Sequence, residues 1–572
     1  MTVLFFGGFL RFNAKNPDFY CNDRIIFSKG HASPLFYALW AAAGELSESE
    51  LLTYRSFGSA LEGHPSMQFK FTEAATGSLG QGLSIGLGMA MAAKMDKLSY
   101  KTYVLLGDGE MAEGQVWEAI ETASKYKVNN LIGIIDVNRL GQSGPTMLEW
   151  DLKEYQRRIE SFGWEAHVIN GHDLGEISHA FSMAQSSTKP CMIIAKTIKG
   201  KGISFLEDKE GFHGKPLPHD KVGEAIKELG DIDKSIRGSI AKPKYENLEK
   251  KSTSSAQISH VAESPNENMA TRQAYGEALL KLLPDFPSLV ALDGEVSNST
   301  YSEYVKKYYP QNFYDMYIAE QNMISVAVGL SARGKLPFVS TFSAFFTRAH
   351  DQIRMAAYSK ANIKFVGSHA GVSIGEDGAS QMGLEDIAMF RSVIDSVVLY
   401  PSDAVSTKKL VEQMAKNNGL IYLRTTRMET PVIHDKRETF EIGGSKVLHS
   451  TKKDKVTIVG AGMTLHEAIK AHEILQKEGI EVRVIDLYSI KPIDSATLER
   501  AGDETGIILV VEDHYKEGGI FEAVASCLIN TKVKFYSLHV SKMPRSGKPE
   551  ELLAYEEIDS TAIVKKVKEI IR

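Results

Sequence analysis

Residues 102–110, TYVLLGDGE, and residues 130–138, NLIGIIDVN, decide the fold between them. Each is a short, nearly continuous apolar run, as a strand buried on both faces requires, and each ends in a glycine or polar turn. Between them, EGQVWEAIETASKYK (113–127) carries apolar residues at helical spacing. Strand, helix and strand at this interval predict a parallel βαβ unit. CMIIAKT (191–197) predicts a further strand, ending near Thr197, before the glycine-rich loop KGKGI (199–203).

The α/β pattern extends outward from this unit. From about Asp231 to Met269 the chain turns rich in Lys, Ser, Asn and Glu, and predicts an exposed linker. Strand-like runs return in SLVALDGEV (288–296), LPFVSTFSAFF (336–346) and NIKFVGSHAGV (362–372). The last segment repeats the pattern: KVTIVGAGM (455–463), a helix over 464–479, EVRVIDLYSI (481–490), then GIILVVEDH (506–514). No short tandem repeat of the solenoid kind occurs. The expectation is three α/β domains in series, at 1–230, 268–430 and 440–572, with a linker at 231–267.

Composition bounds the function. The 572 residues include 43% hydrophobic and 24% charged, and carry a net charge of −6. This is an ordinary globular balance that argues against a nucleic-acid or membrane-surface role. No apolar run reaches the roughly 18 residues that span a bilayer. The three cysteines, Cys21, Cys191 and Cys527, show no paired spacing, which fits a reducing, cytoplasmic setting over a disulfide or zinc framework. The opening MTVLFFGGFL has no basic residues before its apolar stretch and no small-residue cleavage site after it. It is expected to be part of a buried helix and not a signal peptide.

The chemistry starts at the ends of the first two strands. Ligands bind outside the carboxyl ends of strands in an open parallel sheet. Asp108 and Asn138, 30 positions apart, are therefore expected to face one crevice. A carboxylate, an amide oxygen and a loop carbonyl are hard oxygen donors suited to Mg²⁺ or Ca²⁺. Gly107 and Gly109 let the backbone approach a diphosphate. Gly460-Ala461-Gly462 with Asp486 faintly suggests a dinucleotide site, but the three-glycine fingerprint is incomplete.

GDGE followed by this asparagine resembles the thiamine diphosphate signature, and longer stretches resemble the transketolase family, especially its animal-type members. They are SKGHASP, LEGHP, ATGSLGQGL and DKEGFHGKPLP in the first region. YIAEQNM, STFSAFFTRAHDQIRM, GSHAGVSIGEDGASQM and YPSD follow, with VEDHYKEGG and PRSGKP near the end. The resemblance implies two doubly wound thiamine-diphosphate-binding sheets plus a C-terminal α/β domain. It implies a homodimer whose active sites lie at the subunit interface, and sugar phosphates as substrates.

Residue by residue, the resemblance implies Asp108, Asn138 and the Leu140 carbonyl as ligands of Mg²⁺ (or Ca²⁺ or Mn²⁺). Gly77, Ser78, Leu79, Gly109, Lys199, His213 and Gln381 would contact the cofactor. Glu320, in AEQNM, resembles the carboxyl that shares a proton with the aminopyrimidine ring nitrogen. Phe345 resembles the residue stacking on that ring, with Phe342 and Phe346 as neighbours. His31, His64 and His213 match imidazoles that move protons among substrate oxygens. Asp377 resembles a residue bonding a substrate hydroxyl. Arg272, Ser299, His369 and Arg427 match the phosphate end, where the planar guanidinium suits paired oxygens; Arg424 competes with Arg427 for that place.

The family also implies a further helical segment of about 45 residues, with a Ser-Gly-His-Pro motif, upstream of the position of Met1. Hence the alternative expectation is a catalytically weakened relative. Deoxyxylulose-phosphate synthase and dihydroxyacetone synthase are sister readings, which the HGKPLP stretch and the arginines disfavour.

Overall fold

The computed structural model of the chain describes residues 1–231, 233–247 and 268–572. It divides into two compact units. The first holds Met1–Lys250, Gln321–Gly334 and Tyr358–Lys360; the second holds Lys251–Glu320, Lys335–Ala357 and Ala361–Arg572.

The first unit is built on five strands: β1 (Arg24–Phe27), β2 (Thr102–Gly107), β3 (Leu131–Val137), β4 (Glu165–Asn170) and β5 (Cys191–Lys196). Their order is β1-β2-β3-β5-β4, and every neighbouring pair is parallel. β2 is buried throughout and β3 nearly so, which is why both read as unbroken apolar runs. β4, at the edge, mixes buried and exposed positions and left a weaker trace in the sequence. Helix Gly114–Lys125 makes the crossover between β2 and β3.

One face of the sheet packs on an aromatic core. Trp40 stacks on Phe71 with ring centroids 3.7 Å apart, and Phe5 meets Trp40 edge-on at 5.4 Å. Thr2–Phe6 is helical, and Leu4 and Phe5 are fully buried, in line with the expectation for this stretch. Residues 233–247 are exposed along most of their length but are held to the unit. Phe12 N–H donates to the Ala241 carbonyl (2.7 Å), and the Tyr20 hydroxyl donates to the Glu246 carbonyl (2.7 Å). This part of the expected linker is therefore not a free coil; residues 232 and 248–267 lie outside the described residues.

Two helices of this unit cross at backbone contact. A Cβ on Gly88, in helix Gly82–Met95, would strike the Val326 carbonyl. One on Gly329, in helix Glu320–Ala332, would strike the Ile85 carbonyl. Neither obstacle is a movable side chain, so Gly88→Ala should destabilise by about 1–3 kcal/mol or more. Gly223→Ala is the control, because its Cβ would meet open space within helix His219–Leu229. It should be neutral or stabilising by up to about 1 kcal/mol. Denaturant unfolding of the two variants checks both signs.

The second unit contains β6 (Asn268–Ala270), β7 (Leu289–Asp293), β8 (Phe313–Asp315), β9 (Leu336–Phe342), β10 (Lys364–Ser368), β11 (Val397–Leu399), β12 (Ile421–Arg424) and β13 (Glu429–Pro431). It continues with β14 (Lys446–His449), β15 (Thr457–Gly460), β16 (Arg483–Asp486), β17 (Ser489–Lys491), β18 (Ile507–Tyr515) and β19 (Lys534–Val540). A seven-stranded sheet runs β17-β11-β12-β10-β9-β7-β8, parallel except for β17. A five-stranded sheet runs β14-β16-β15-β18-β19, parallel except for β14. β6 and β13 form a small antiparallel pair. The last segment thus lends β17 to the sheet of the middle segment, a strand exchange that local periodicity did not signal.

Among the described residues, no helix is long and apolar enough to cross a membrane. The faint dinucleotide motif has no room for a ligand. A Cβ on Gly462 would strike the Tyr400 ring, and Asp486 is buried, bonded to Ser402 Oγ (2.9 Å) and His434 Nε2 (3.0 Å).

Candidate active site

In the first unit the parallel register sets Gly107 opposite Asp136, so Asp108 and Asn138 leave adjacent strand ends together. The Arg139 N–H, next to Asn138, donates to Asp108 Oδ2 at 2.7 Å, which joins the two loops directly. Asp108 also accepts from Gly109 N–H (2.8 Å) and from Thr146 Oγ1 (3.2 Å). Burial raises its carboxyl above the ordinary aspartate value, against the two backbone donors.

Asn138 is oriented from both sides. Its Nδ2 donates to Asp136 Oδ2 at 3.2 Å, and its Oδ1 accepts from Leu140 N–H at 3.1 Å. Asp136 is itself held by Lys29 Nζ (2.5 Å) and by the Thr197 hydroxyl. Burial opposes ionisation of Asp136, but Lys29 and these bonds outweigh it, so its pKa lies below the usual value. The Trp150 indole donates to the Val137 carbonyl (3.1 Å), one residue before Asn138, and pins the end of β3.

The donor set suits a hard divalent cation. Asp108 is a nearly buried carboxylate served only by N–H and O–H donors, with no lysine or arginine paired to it among the described residues. The Leu140 carbonyl faces Lys199 Nζ at 3.4 Å, a cation already close to that oxygen. Among the described residues no group of three or more His, Cys, Asp or Glu is arranged to hold a metal ion; the set expected here has a single carboxylate, with an amide and a carbonyl.

Around this set lies a cationic and imidazole rim. Lys199 Nζ meets His213 Nδ1 at 2.9 Å, and the His213 and His31 rings lie 4.7 Å apart. His31 is pushed down to about 4, first by burial and then by Lys29 and the neighbouring imidazoles and lysine. His213 is lowered by burial, Lys199 and Lys29, and His64 by burial and Arg55. All three imidazoles are neutral at pH 7, able to accept a proton. Gly77, at φ +126°, has the His64 ring against its α-carbon, where a Cβ would sit 2.8 Å from that ring. Gly80 N–H donates to Glu110 Oε1 at 2.8 Å, so the buried Glu110 fixes the segment that includes Gly77, Ser78 and Leu79.

Glu320, which closes a segment of the second unit, is the first residue of helix Glu320–Ala332, whose remaining residues belong to the first unit, and it is almost fully buried. Arg348 Nη1 donates to Glu320 Oε2 at 2.6 Å. The aromatic wall is a three-ring stack: His369 on Phe342 (3.8 Å, 15°), and Phe342 on Phe345 (5.2 Å, 12°). Phe345 keeps partial exposure, whereas Phe346 turns into the core against Phe365, Phe390 and Tyr422. His369 has φ +57° and is held down near 3 by burial and by Arg272 and Arg427. The structure thus joins His369 to the wall as well as to the arginines.

Arg272 Nη1 donates to the Ser299 carbonyl at 2.9 Å. Arg427 Nη1 donates to Asp377 Oδ2 (2.7 Å) and to the Ile374 carbonyl (2.9 Å). Arg424 is fully buried between Asp386 (2.8 Å) and Asp513 (2.7 Å), and so is no candidate for an outside anion. Gln381 lies on the same glycine-rich loop as Asp377, with Nε2 3.4 Å from Ser380 Oγ. Lys29, Asp136, Glu110, Thr146 and Arg348 were not anticipated. Each acts through a partner far away in sequence, and only a folded sheet brings them together.

A parallel sheet that brings a carboxylate and an amide together at adjacent strand ends, and a second, mostly parallel sheet in a unit that holds a buried helix-start glutamate and an aromatic wall, are the architecture of a thiamine-diphosphate enzyme. The match to known proteins is specific. "Transketolase, thiamine diphosphate binding domain" matches residues 1–282, "Transketolase, pyrimidine binding domain" residues 267–432, and "Transketolase, C-terminal domain" residues 445–563. Human transketolase is 49% identical over 576 residues, covering 100% of this chain and 92% of its own. Rat transketolase is 50% identical over 579 residues, with the same coverages. The crystal structure of transketolase from Campylobacter jejuni is 25% identical, with a TM-score of 0.84 over 98% of this chain and 93% of its own. The chain belongs to the transketolase family, with thiamine diphosphate as cofactor and two-carbon ketol transfer as the reaction.

Proposed function

We propose that the chain moves the C1–C2 ketol unit of a ketose phosphate, such as xylulose 5-phosphate, to an aldose phosphate. Ribose 5-phosphate and erythrose 4-phosphate are the expected acceptors, which assigns the chain to the pentose phosphate pathway. The observation that carries this reading is the junction of the Asp108 and Asn138 loops by the Arg139 N–H, at adjacent strand ends and beside neutral imidazoles. Thiamine diphosphate, when bound, supplies an acidic C2 carbon and an electron sink for carbon–carbon bond cleavage.

The chain's own groups divide the remaining work. Asp108, Asn138 and the Leu140 carbonyl would hold the divalent cation. Gly77, Ser78, Leu79, Gly109, Lys199, His213 and Gln381 would contact the cofactor. Glu320 would hold a proton at the aminopyrimidine nitrogen, against the Phe345 face. His31, His64 and His213 are neutral and accept or return protons at substrate oxygens. Asp377 accepts from a substrate hydroxyl, while Arg272, Arg427, Ser299 and His369 meet the phosphate. The domain assignment is 1–230, 268–430 and 440–572, in a cytoplasmic homodimer; the three free cysteines support the reducing setting.

The deciding assay follows ketol transfer from xylulose 5-phosphate to ribose 5-phosphate with and without thiamine diphosphate and Mg²⁺. Activity independent of the cofactor would defeat the reading. The phosphate end has its own test. Arg272→Ala and Arg427→Ala should raise KM for phosphorylated sugars by roughly 10- to 150-fold, the range for a lost charge-assisted contact of about 1.5–3 kcal/mol. Unphosphorylated substrates should be far less affected. An equal loss on both substrate types would remove these arginines from the phosphate end.

A further inference from the structure

Two motifs of the last segment, VEDH (511–514) and PRSGKP (544–549), have no part in the chemistry above. Both meet the loop from His369 to Gly383, which carries His369, Asp377 and Gln381. That loop has no ladder of its own to fix its height. Gly371, Gly375 and Gly378 all have positive φ, and its regular structure is limited to two single 3₁₀ turns and one isolated bridge at the neck, Ala370 to Gly383. Its position must therefore come from what it rests on.

The neck of the loop rests on Asp513. Gly371 N–H donates to the Gly383 carbonyl (2.9 Å), and the same carbonyl accepts from Arg424 Nη2 (2.8 Å). Arg424 is in turn held by Asp513 Oδ1 at 2.7 Å. The other Asp513 oxygen fills the space where a Cβ of Gly371 would stand. The Tyr400 hydroxyl donates to the same carboxylate at 3.0 Å, so Asp513 is held by a second partner besides Arg424. The outer part of the loop rests on the second motif. A Cβ on Gly378 would sit 2.6 Å from Ser546 Oγ, and one on Gly375 would sit 3.3 Å from the Gly547 carbonyl. The loop also carries Arg427 with it, through the bonds from Arg427 Nη1 to the Ile374 carbonyl and Asp377 Oδ2.

We propose that Asp513 and Ser546 are positioning residues for sugar-phosphate recognition: they set the height of the 369–383 loop and, through it, of Asp377 and Arg427. The proposal rests on the assignment of Asp377, His369 and Arg427 to the substrate. It gives the last segment a part in specificity beyond that of a packing partner.

Ser546 is exposed in an irregular stretch outside any helix or strand, so Ser546→Val should fold normally while its branched side chain presses on Gly378. The expected result is a KM for xylulose 5-phosphate raised roughly 10- to 100-fold, the scale of a displacement near 1 Å. Calorimetric affinity for thiamine diphosphate, melting temperature and kcat should stay near wild type. Ser546→Ala, with a small side chain, should keep the wild-type KM. Asp513→Asn should shift KM the same way if it folds; if it does not, the Ser546 pair decides alone. An active wild type with unchanged KM in Ser546→Val overturns the positioning role. So does a parallel loss of kcat, cofactor affinity and melting temperature, which would mean general destabilisation. A wild-type enzyme that transfers no ketol unit would instead defeat the functional reading beneath it.

Discussion

Asp108→Ala is expected to weaken thiamine diphosphate binding in the presence of Mg²⁺ by at least about 100-fold. Loss of an outer-shell partner alone typically costs about 10- to 100-fold in metal affinity, and Asp108 is the only carboxylate of the proposed donor set. The substitution also orphans the N–H groups of Gly109 and Arg139 and the Thr146 hydroxyl, all of which bond that carboxylate. The junction between the two strand-end loops is lost with the charge. Asp108→Asn separates the two effects. Its amide oxygen can still accept from one backbone donor, but it brings no negative charge to a cation, so binding should fall to an intermediate level. Calorimetric titration with and without Mg²⁺ measures both. Unchanged affinity in the alanine variant would remove Asp108 from the metal site.

Glu320→Ala should lower ketol transfer, and the exchange of the C2 proton of bound thiamine diphosphate into deuterated water, by about 10²- to 10⁴-fold. That is the usual contribution of a positioned proton-transfer group. The fold should survive. Arg348, the partner left behind, has a side chain 55% exposed, so water can solvate the freed guanidinium. Glu320→Gln is the sharper variant, since it keeps the shape and can still bond but cannot pass a proton. Acid-quench NMR of the exchange, beside a melting curve, gives the result. Wild-type exchange in the glutamine variant would sink the role assigned to Glu320.

How much of this was legible in the sequence follows from the range of each interaction. β2 and β3 are buried, so their residues are apolar in nearly unbroken runs, and the polar residues that end those runs come together at adjacent strand ends. That link between burial and position made Asp108 and Asn138 readable from local pattern. The groups that support them were not readable. Lys29 reaches Asp136 across 107 positions, and Ser28 reaches Glu110 across 82. No local period encodes such pairs. Arg424 and Arg427 look equivalent in RTTRMET, and only burial tells them apart: one is consumed by two aspartates, and the other is left partly exposed. β17 is three residues long and joins a sheet built from an earlier segment, so nothing near it announces its partner.

The Trp150 contact at the end of β3 has an optical consequence. The chain's four tryptophans, Trp40, Trp117, Trp150 and Trp164, all belong to the first unit, and the second has none. Selectively excited indole emission therefore reads one unit and is blind to the other. Trp150 Nε1 bonds the Val137 and Thr197 carbonyls, so its ring spans the ends of β3 and β5 next to the donor set. Loading the enzyme with Mg²⁺ and thiamine diphosphate should change the intensity of that emission, and a Trp150→Phe variant should lose the change while keeping the emission of the other three. During thermal unfolding the same signal would follow the first unit alone. A gap between its midpoint and that of far-ultraviolet circular dichroism would reveal two separate transitions without any introduced label.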